Sequence, residues 1–171
     1  MARMKLLVIS DTHGGRAALS RVLRRHADAD AVLFLGDGLG EIEAAAADGG
    51  LPPVLAVRGN CDSPTSPYGC VREEELTVSL GGHRLLLVHG HTVGVKASLG
   101  GLAAVARRHG ADIALYGHTH VASETYLSEE NGGPLWLFCP GSLGHPADGA
   151  PSYGLLMLDE GGVLFSVGRE A

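Results

Sequence analysis

Three times in the first third of this chain an apolar run ends in a loop that carries glycine with aspartate or asparagine. Residues 5–10 hold Leu6-Leu7-Val8-Ile9, too short for a helix and apolar without alternation. That pattern predicts a strand buried on both faces, and it stops at Asp11-Thr12-His13-Gly14-Gly15. Residues 31–35 repeat the pattern and stop at Gly36-Asp37-Gly38, and residues 54–57 stop at Gly59-Asn60-Cys61-Asp62. Between the first two, residues 16–26 place Ala18, Leu19, Val22 and Leu23 on one helical face and arginines on the other. Residues 42–47 are alanine-rich and predicted helical, closed by Gly49-Gly50 and broken by Pro52-Pro53. Strand, helix, strand, helix, strand is the rhythm of a parallel sheet, so the chain is constrained to an α/β fold. Ligands of such sheets bind beyond the carboxyl ends of the strands, which should bring the three loops to one edge.

The pattern changes after residue 74. Residues 75–80 and 83–88 flank Gly81-Gly82, which predicts a tight hairpin whose turn needs positive φ. The second of these strands runs into His89-Gly90-His91. Residues 96–109 are predicted helical, with Leu99, Leu102, Ala103 and Ala106 inward and Arg107-Arg108 near the C-terminal end, where cations suit the dipole. Residues 112–116 form a short apolar strand; Gly117 then turns the backbone and His118-Thr119-His120 emerge at its end. Strands at 121–127 and 135–139, and a last hairpin of 153–158 with 163–167, make the second half β-rich and mostly antiparallel in expectation. Two packed sheets with helices outside is the economical architecture, in a single domain over residues 1–171.

Bulk properties narrow the function classes. A chain of 171 residues can bury roughly two thirds of its unfolded surface without disulfide support. Its net charge of -6 argues against an extended nucleic-acid surface, which needs clustered Lys and Arg. Cys61, Cys70 and Cys139 are odd in number and lack CxxC spacing, so neither a disulfide framework nor a zinc clip is expected. No signal peptide or run of about 18 apolar residues is read, so the expected setting is cytoplasmic, away from membranes.

Gathered at the predicted strand ends are Asp11, His13, Asp37, Asn60, His89, His91, His118 and His120. The other histidines, His26, His83, His109 and His145, are read as solvent-facing or packing residues. Mixed imidazole and carboxylate donors suit manganese, iron or zinc better than calcium. Eight candidates exceed what one tetrahedral ion takes, which points to two ions about 3.5–4 Å apart. Such a pair needs a bridging carboxylate, and Asp37, on the middle loop, is the best candidate.

The blocks Asp11-Thr12-His13, Gly36-Asp37, Gly59-Asn60-Cys61-Asp62, His89-Gly90-His91 and Gly117-His118-Thr119-His120, in that order, resemble the signature of the calcineurin-like metallophosphoesterases. The short length and Cys61 are most similar to the small bacterial and archaeal phosphodiesterase branch. The resemblance implies a four-layer αββα sandwich of two mixed β-sheets flanked by helices. It also implies two divalent ions, with manganese expected and iron, zinc, nickel or magnesium permitted. Asp11, His13, Asp37 and His120 would hold one, and Asp37, Asn60, His89 and His118 the other. The implied reaction is in-line attack of a metal-bridging hydroxide on the phosphorus of a small phosphoester. Asn60 and His91 are the expected catalytic contacts: Asn60 has an NH₂ to donate to a phosphoryl oxygen, and His91 is a substrate hydrogen-bond donor or else a prop for His89. Where larger family members carry a histidine thought to assist the leaving group, this chain has Cys61, a poorer acid, which favours diesters with good leaving groups. The competing expectation is a non-catalytic metal-binding scaffold of the same fold. Substrate choice is expected to lie in the loops at 63–74, 92–98 and 141–151; the apolar hairpins fit a core or a subunit interface equally.

Overall fold

The computed structural model describes residues 2–65, 67 and 73–170. Cys70 and part of the 63–74 loop fall outside them. One sheet has the order β10-β9-β1-β2-β3, from β1 (Met4–Ile9), β2 (Ala31–Phe34), β3 (Val54–Ala56), β9 (Ser152–Asp159) and β10 (Gly162–Arg169). The other has the order β4-β5-β6-β8-β7, from β4 (Glu75–Leu80), β5 (His83–Val88), β6 (Ile113–Leu115), β7 (Ala122–Leu127) and β8 (Leu135–Pro140). Helices α1 (Arg16–Arg25) and α2 (Leu39–Ala47) cover the first sheet and α3 (Gly100–Arg108) the second.

Successive side chains of a strand point to opposite faces, and here both faces are buried. Leu7, Ile9, Val32 and Phe34 pack under α1 and α2 against Leu19, Val22, Leu23, Leu39 and Ile42. Their neighbours Leu6, Val8, Leu33 and Leu35 enter the space between the sheets, where Leu85, Leu87, Ile113, Leu115 and Phe138 meet them. On the far side, Leu86, Val88, Ala114 and Leu137 pack against Leu102, Ala103, Val105 and Ala106 of α3. Phe138 and Phe165 stack across the sheets, ring centroids 4.3 Å apart. This is the expected four-layer αββα sandwich of two mixed sheets, and the double burial explains why the strands read as unbroken apolar runs.

Two expectations need correction. The second half is less antiparallel than its hairpins imply, because β5 pairs with β6, and β6 with β8, in parallel. Helix α3 begins at Gly100, since residues 91–99 first pass through a 3-10 turn (His91–Val93) and a turn at Gly94, whose φ is 67°. The Gly81-Gly82 turn has φ of 57° and 83°, as a tight hairpin requires. Because β1, β2, β3 run parallel in one sheet and β5, β6, β8 in the other, the loops after them can meet along one edge of the sandwich.

Candidate metal centre

At that edge the backbone is strained in a specific way. Among the described residues the non-glycine positions with positive φ are Asp11 (55°), His13 (40°), Asp37 (56°), His118 (70°) and His120 (59°). All five are candidate ligands. Left-handed backbone is unfavourable for side chains with Cβ and persists where surrounding contacts over-determine it. Those contacts are visible: Asp11 N–H donates to Gly36 O at 2.9 Å, His13 N–H to Asp37 O at 3.2 Å, and Gly117 N–H to His89 O at 2.9 Å.

Asp11 is fully buried at the centre. Its Oδ2 accepts from Ser10 Oγ at 2.5 Å and from His118 N–H at 3.0 Å. Its Oδ1 is buried and receives no hydrogen bond. Around Oδ1 stand the Nε2 atoms of His120 at 3.0 Å, His13 at 3.4 Å and His89 at 3.8 Å. Asp37 Oδ2 lies between two of these rings, 3.2 Å from His89 Nε2 and 3.7 Å from His13 Nε2, while its Oδ1 accepts Cys61 N–H at 2.8 Å. Asn60 Oδ1 is 3.1 Å from His89 Nε2. His89 bonds Leu35 O through Nδ1 at 2.7 Å, which fixes the hydrogen on that nitrogen and presents Nε2 to the carboxylates.

The donor chemistry fits divalent metal. A buried carboxylate oxygen with no hydrogen-bond donor is costly unless a cation meets it. Ligand atoms of Asp11, His13 and His120 lie within 4.8 Å of one another, as do those of Asp11, Asp37 and His89, and those of His13, Asp37 and Cys61. Asp37 touches both imidazole groups, as a bridge would. His118 stands just outside these groups, its ring 5.1 Å from that of His89.

Electrostatics follow from burial and pairing. Burial opposes the charge on Asp37, but His89 and the Cys61 amide outweigh it and hold the carboxyl well below its usual range. Burial also opposes a charge on His89, yet Asp37 and Asp11 raise its pKa overall. His118 is pushed down to about 4 by burial, with His89 and Lys96 adding to the effect. The Cys61 thiol is raised by burial and by the carboxylates of Asp37, Asp62 and Asp11, so in the protein alone it stays protonated and is a weak acid.

His91 flanks the centre, its ring 5.4 Å from His89 and 6.2 Å from His118, with Nε2 3.9 Å from Glu74 Oε1 and a buried Nδ1 that has no partner. Three contributors escaped the sequence reading. Asp62 binds four backbone amides of the site loops, and Glu41 of α2 accepts from Thr12 Oγ1 and from Gly14 N–H. His145 is exposed as expected, but it edges His13 and His120 rather than standing apart. Of the remaining histidines, His26 packs on Tyr153, and His83 and His109 pair with Asp112 and Glu75.

A two-sheet sandwich whose parallel strand ends converge on buried aspartates and imidazoles defines an α/β protein built around a candidate metal centre. The chain belongs to the calcineurin-like phosphoesterase superfamily: residues 4–161 match the profile of that domain. It is 34% identical over 179 aligned positions to the phosphodiesterase YfcE of Escherichia coli K12, covering 90% of this chain and 87% of that one. A predicted phosphoesterase from Streptococcus pneumoniae TIGR4 superposes with a TM-score of 0.80 at 25% identity, over 99% of this chain and 91% of the other. Vacuolar Protein Sorting 29 from Cryptosporidium parvum shares the fold, with a TM-score of 0.72 at 20% identity, over 99% and 98% of the two chains. No helix among the described residues is long and apolar enough to cross a membrane.

Proposed function

We propose that this chain is a phosphodiesterase with a dinuclear centre, in which Asp11, His13, Asp37 and His120 hold one divalent ion and Asp37, Asn60, His89 and His118 a second. The observation that carries it is the buried, donorless Asp11 Oδ1 ringed by three imidazole nitrogens. Bound there, divalent ions supply hydroxide near neutral pH and polarise phosphoryl oxygens. The chain's own groups do the rest. Asn60 turns its oxygen toward His89, and its NH₂, which donates to Cys61 Sγ at 3.5 Å, has a second hydrogen for a phosphoryl oxygen. His91, on the Glu74 side, serves as a further donor to the substrate. Lys96 lies near enough to His118 to disfavour its charge, and it adds a cation where an anionic ester approaches.

Manganese is the first metal to load, since N/O donor sets of this kind accept it and availability decides between it and iron, zinc, nickel or magnesium. The test is metal-reconstituted protein screened against aryl diesters, cyclic nucleotides and alkyl monoesters. Turnover of aryl diesters ahead of alkyl monoesters is expected. No turnover with any metal at verified occupancy would favour a scaffold role, for which the likeness to Vacuolar Protein Sorting 29 supplies a fold precedent and nothing more. The full ligand set, with Asp11, His13, Asp37, His118 and His120 in left-handed backbone, supports catalysis instead.

A further inference from the structure

His145 lies in the loop between β8 and β9, more than a hundred residues from Asp11, yet that loop is stitched to the metal-ligand loops on both sides. Leu143 N–H donates to Ser10 O at 3.2 Å and Gly144 N–H to Asp11 O at 3.0 Å. Ser142 Oγ donates to Asp11 O at 2.7 Å and in turn accepts His145 N–H at 2.8 Å. Beyond it, Ala147 N–H donates to His120 O at 3.0 Å. Gly144 packs so closely on Thr12 O that a Cβ there would overlap it. Pro146 restricts the backbone of His145 further. The residue's place at the site is therefore built, although its side chain is exposed.

Its ring centroid is 5.7 Å from that of His120 and 6.2 Å from that of His13, both edge-on. Its nitrogens do not join the groups of ligand atoms that lie within 4.8 Å of one another, and among the described residues its ring has no hydrogen-bond partner. An imidazole edge-on to His13 and His120, its centroid 6.2 and 5.7 Å from theirs, is near enough to touch an ester bound at the centre. Cys61 borders the same His13.

We propose that His145 is the leaving-group contact of the reaction, donating an imidazole N–H to the departing oxygen on the His13–His120 side. This inference rests on the phosphoesterase reading. As hydroxide forms the new P–O bond, the opposite P–O bond breaks and its electron pair passes to the leaving oxygen. The N–H of His145 stabilises that charge by hydrogen bonding, and the alcohol takes its proton from solvent. The donor that Cys61 supplies poorly thus arrives from the β8–β9 loop, which joins the two sheets.

The test compares wild type, His145→Ala and His145→Gln on paired diesters, one with a 4-nitrophenolate leaving group and one with a far more basic alkoxide. His145→Ala is expected to lose activity on the order of 100-fold toward the basic leaving group and only a few-fold toward nitrophenolate, mainly in kcat. His145→Gln, which keeps an N–H donor, should recover part of the loss. Calorimetric manganese affinity should be unchanged in both variants. Histidine-labelled NMR of wild type should show the His145 ring shifting when inorganic phosphate is added. An active wild type whose His145→Ala loss is equal for both leaving groups, or is accompanied by weakened metal binding, overturns this inference alone. A wild type inactive on every ester with metal bound overturns the phosphoesterase reading with it.

Discussion

Asp62 Oδ2 accepts the backbone N–H of Asp37 at 2.7 Å, so the residue proposed to bridge two ions is aimed by a carboxylate from the next strand-end loop. The same side chain accepts Gly59 N–H at 2.9 Å, Gly38 N–H at 2.9 Å and Leu39 N–H at 3.0 Å. Four amides on one carboxylate fix the left-handed turn at Asp37 and the start of α2 together. Asp62→Ala leaves those amides to water and frees the turn. We expect a 10- to 100-fold loss of metal affinity, roughly the range for groups that orient ligands, with the circular dichroism spectrum retained. Asp62→Asn, with one acceptor oxygen left, should fall between. Calorimetric titration of manganese into metal-free protein decides it, and wild-type affinity in Asp62→Ala would refute the positioning role.

The glycine at position 59 shows how little room lies between the third strand-end loop and Asp37. A Cβ there would overlap Asp37 Oδ1 and sit 2.6 Å from the Asp37 backbone nitrogen. Backbone cannot step aside as a flexible side chain can. Gly59→Ala should therefore cost about 1–3 kcal/mol of stability, the scale of overpacking, and weaken metal binding as Asp37 is displaced. Urea unfolding of metal-free protein measures the first effect without interference from the second. An unchanged midpoint would show that the loop can yield.

The first half of the fold was legible because double burial leaves no alternation in β1 and β2, and glycine-bearing loops mark where each stops. Parallel pairing of β5, β6 and β8 was not legible, since β6 contributes three residues and its partners lie far away in sequence. Helix α3 was read too long because nothing in residues 96–99 breaks a helical pattern, while the chain turns at Gly94, with φ of 67°, and becomes helical only from Gly100. At the site, the ligand types and their order were readable from the motifs. Their supporters were not: Asp62 looks like one more polar loop residue, and His145 like one more exposed histidine. Only the tertiary hydrogen bonds that the β8–β9 loop donates to the carbonyls of Ser10, Asp11 and His120 bring His145 in.

Acid should act on the metal-free protein through His118. Its folded pKa is lowered to about 4, against an ordinary value of about 6.5 in the unfolded chain. A depressed histidine stabilises the fold above the unfolded value, and the contribution is lost as pH falls from about 6.5 toward 4, where the unfolded state binds the extra proton. His89 is shifted upward, so its contribution has the opposite sign, present at low pH and lost as pH rises through its folded value. Because His118 is partly open to solvent, its share is about 1 kcal/mol. Urea unfolding at pH 7.5 and pH 5 should show a smaller acid loss in His118→Asn than in wild type. Equal losses would mean that His118 is not the group responsible.

Cys61 sets the expected ester preference. Its thiol is raised by burial and by three neighbouring carboxylates, so it gives a leaving group little help. Cys61→His should increase turnover of alkyl monoesters roughly 10-fold or more, the lower end for a positioned acid, while nitrophenyl diesters change little. Steady-state kinetics of both proteins on both classes provide the comparison. Wild-type rates on alkyl monoesters equal to those on diesters would contradict the assignment.

His118 and His120 are two residues apart, both in left-handed backbone, yet they face different partners. His120 Nε2 is 3.0 Å from Asp11 Oδ1 and 3.2 Å from His13 Nε2, whereas the ring of His118 lies beside His89. If each serves a different ion, removing one should not empty both sites. His120→Ala should lower the metal content measured by mass spectrometry from two per chain toward one and spare the ion near His89. His118→Ala should likewise lose one ion but spare the one near His13. The site nearest His118 should be the weaker in wild type, because His118 is not among the ligand atoms that lie within 4.8 Å of one another, whereas Asp11, His13 and His120 are. Titrating metal-free protein with manganese and following the two bound populations by their spin coupling reports the pair directly, since only a dinuclear centre couples. A stoichiometry of one in the fully active wild type, or the loss of both ions in either variant, would contradict the division of labour between these two histidines.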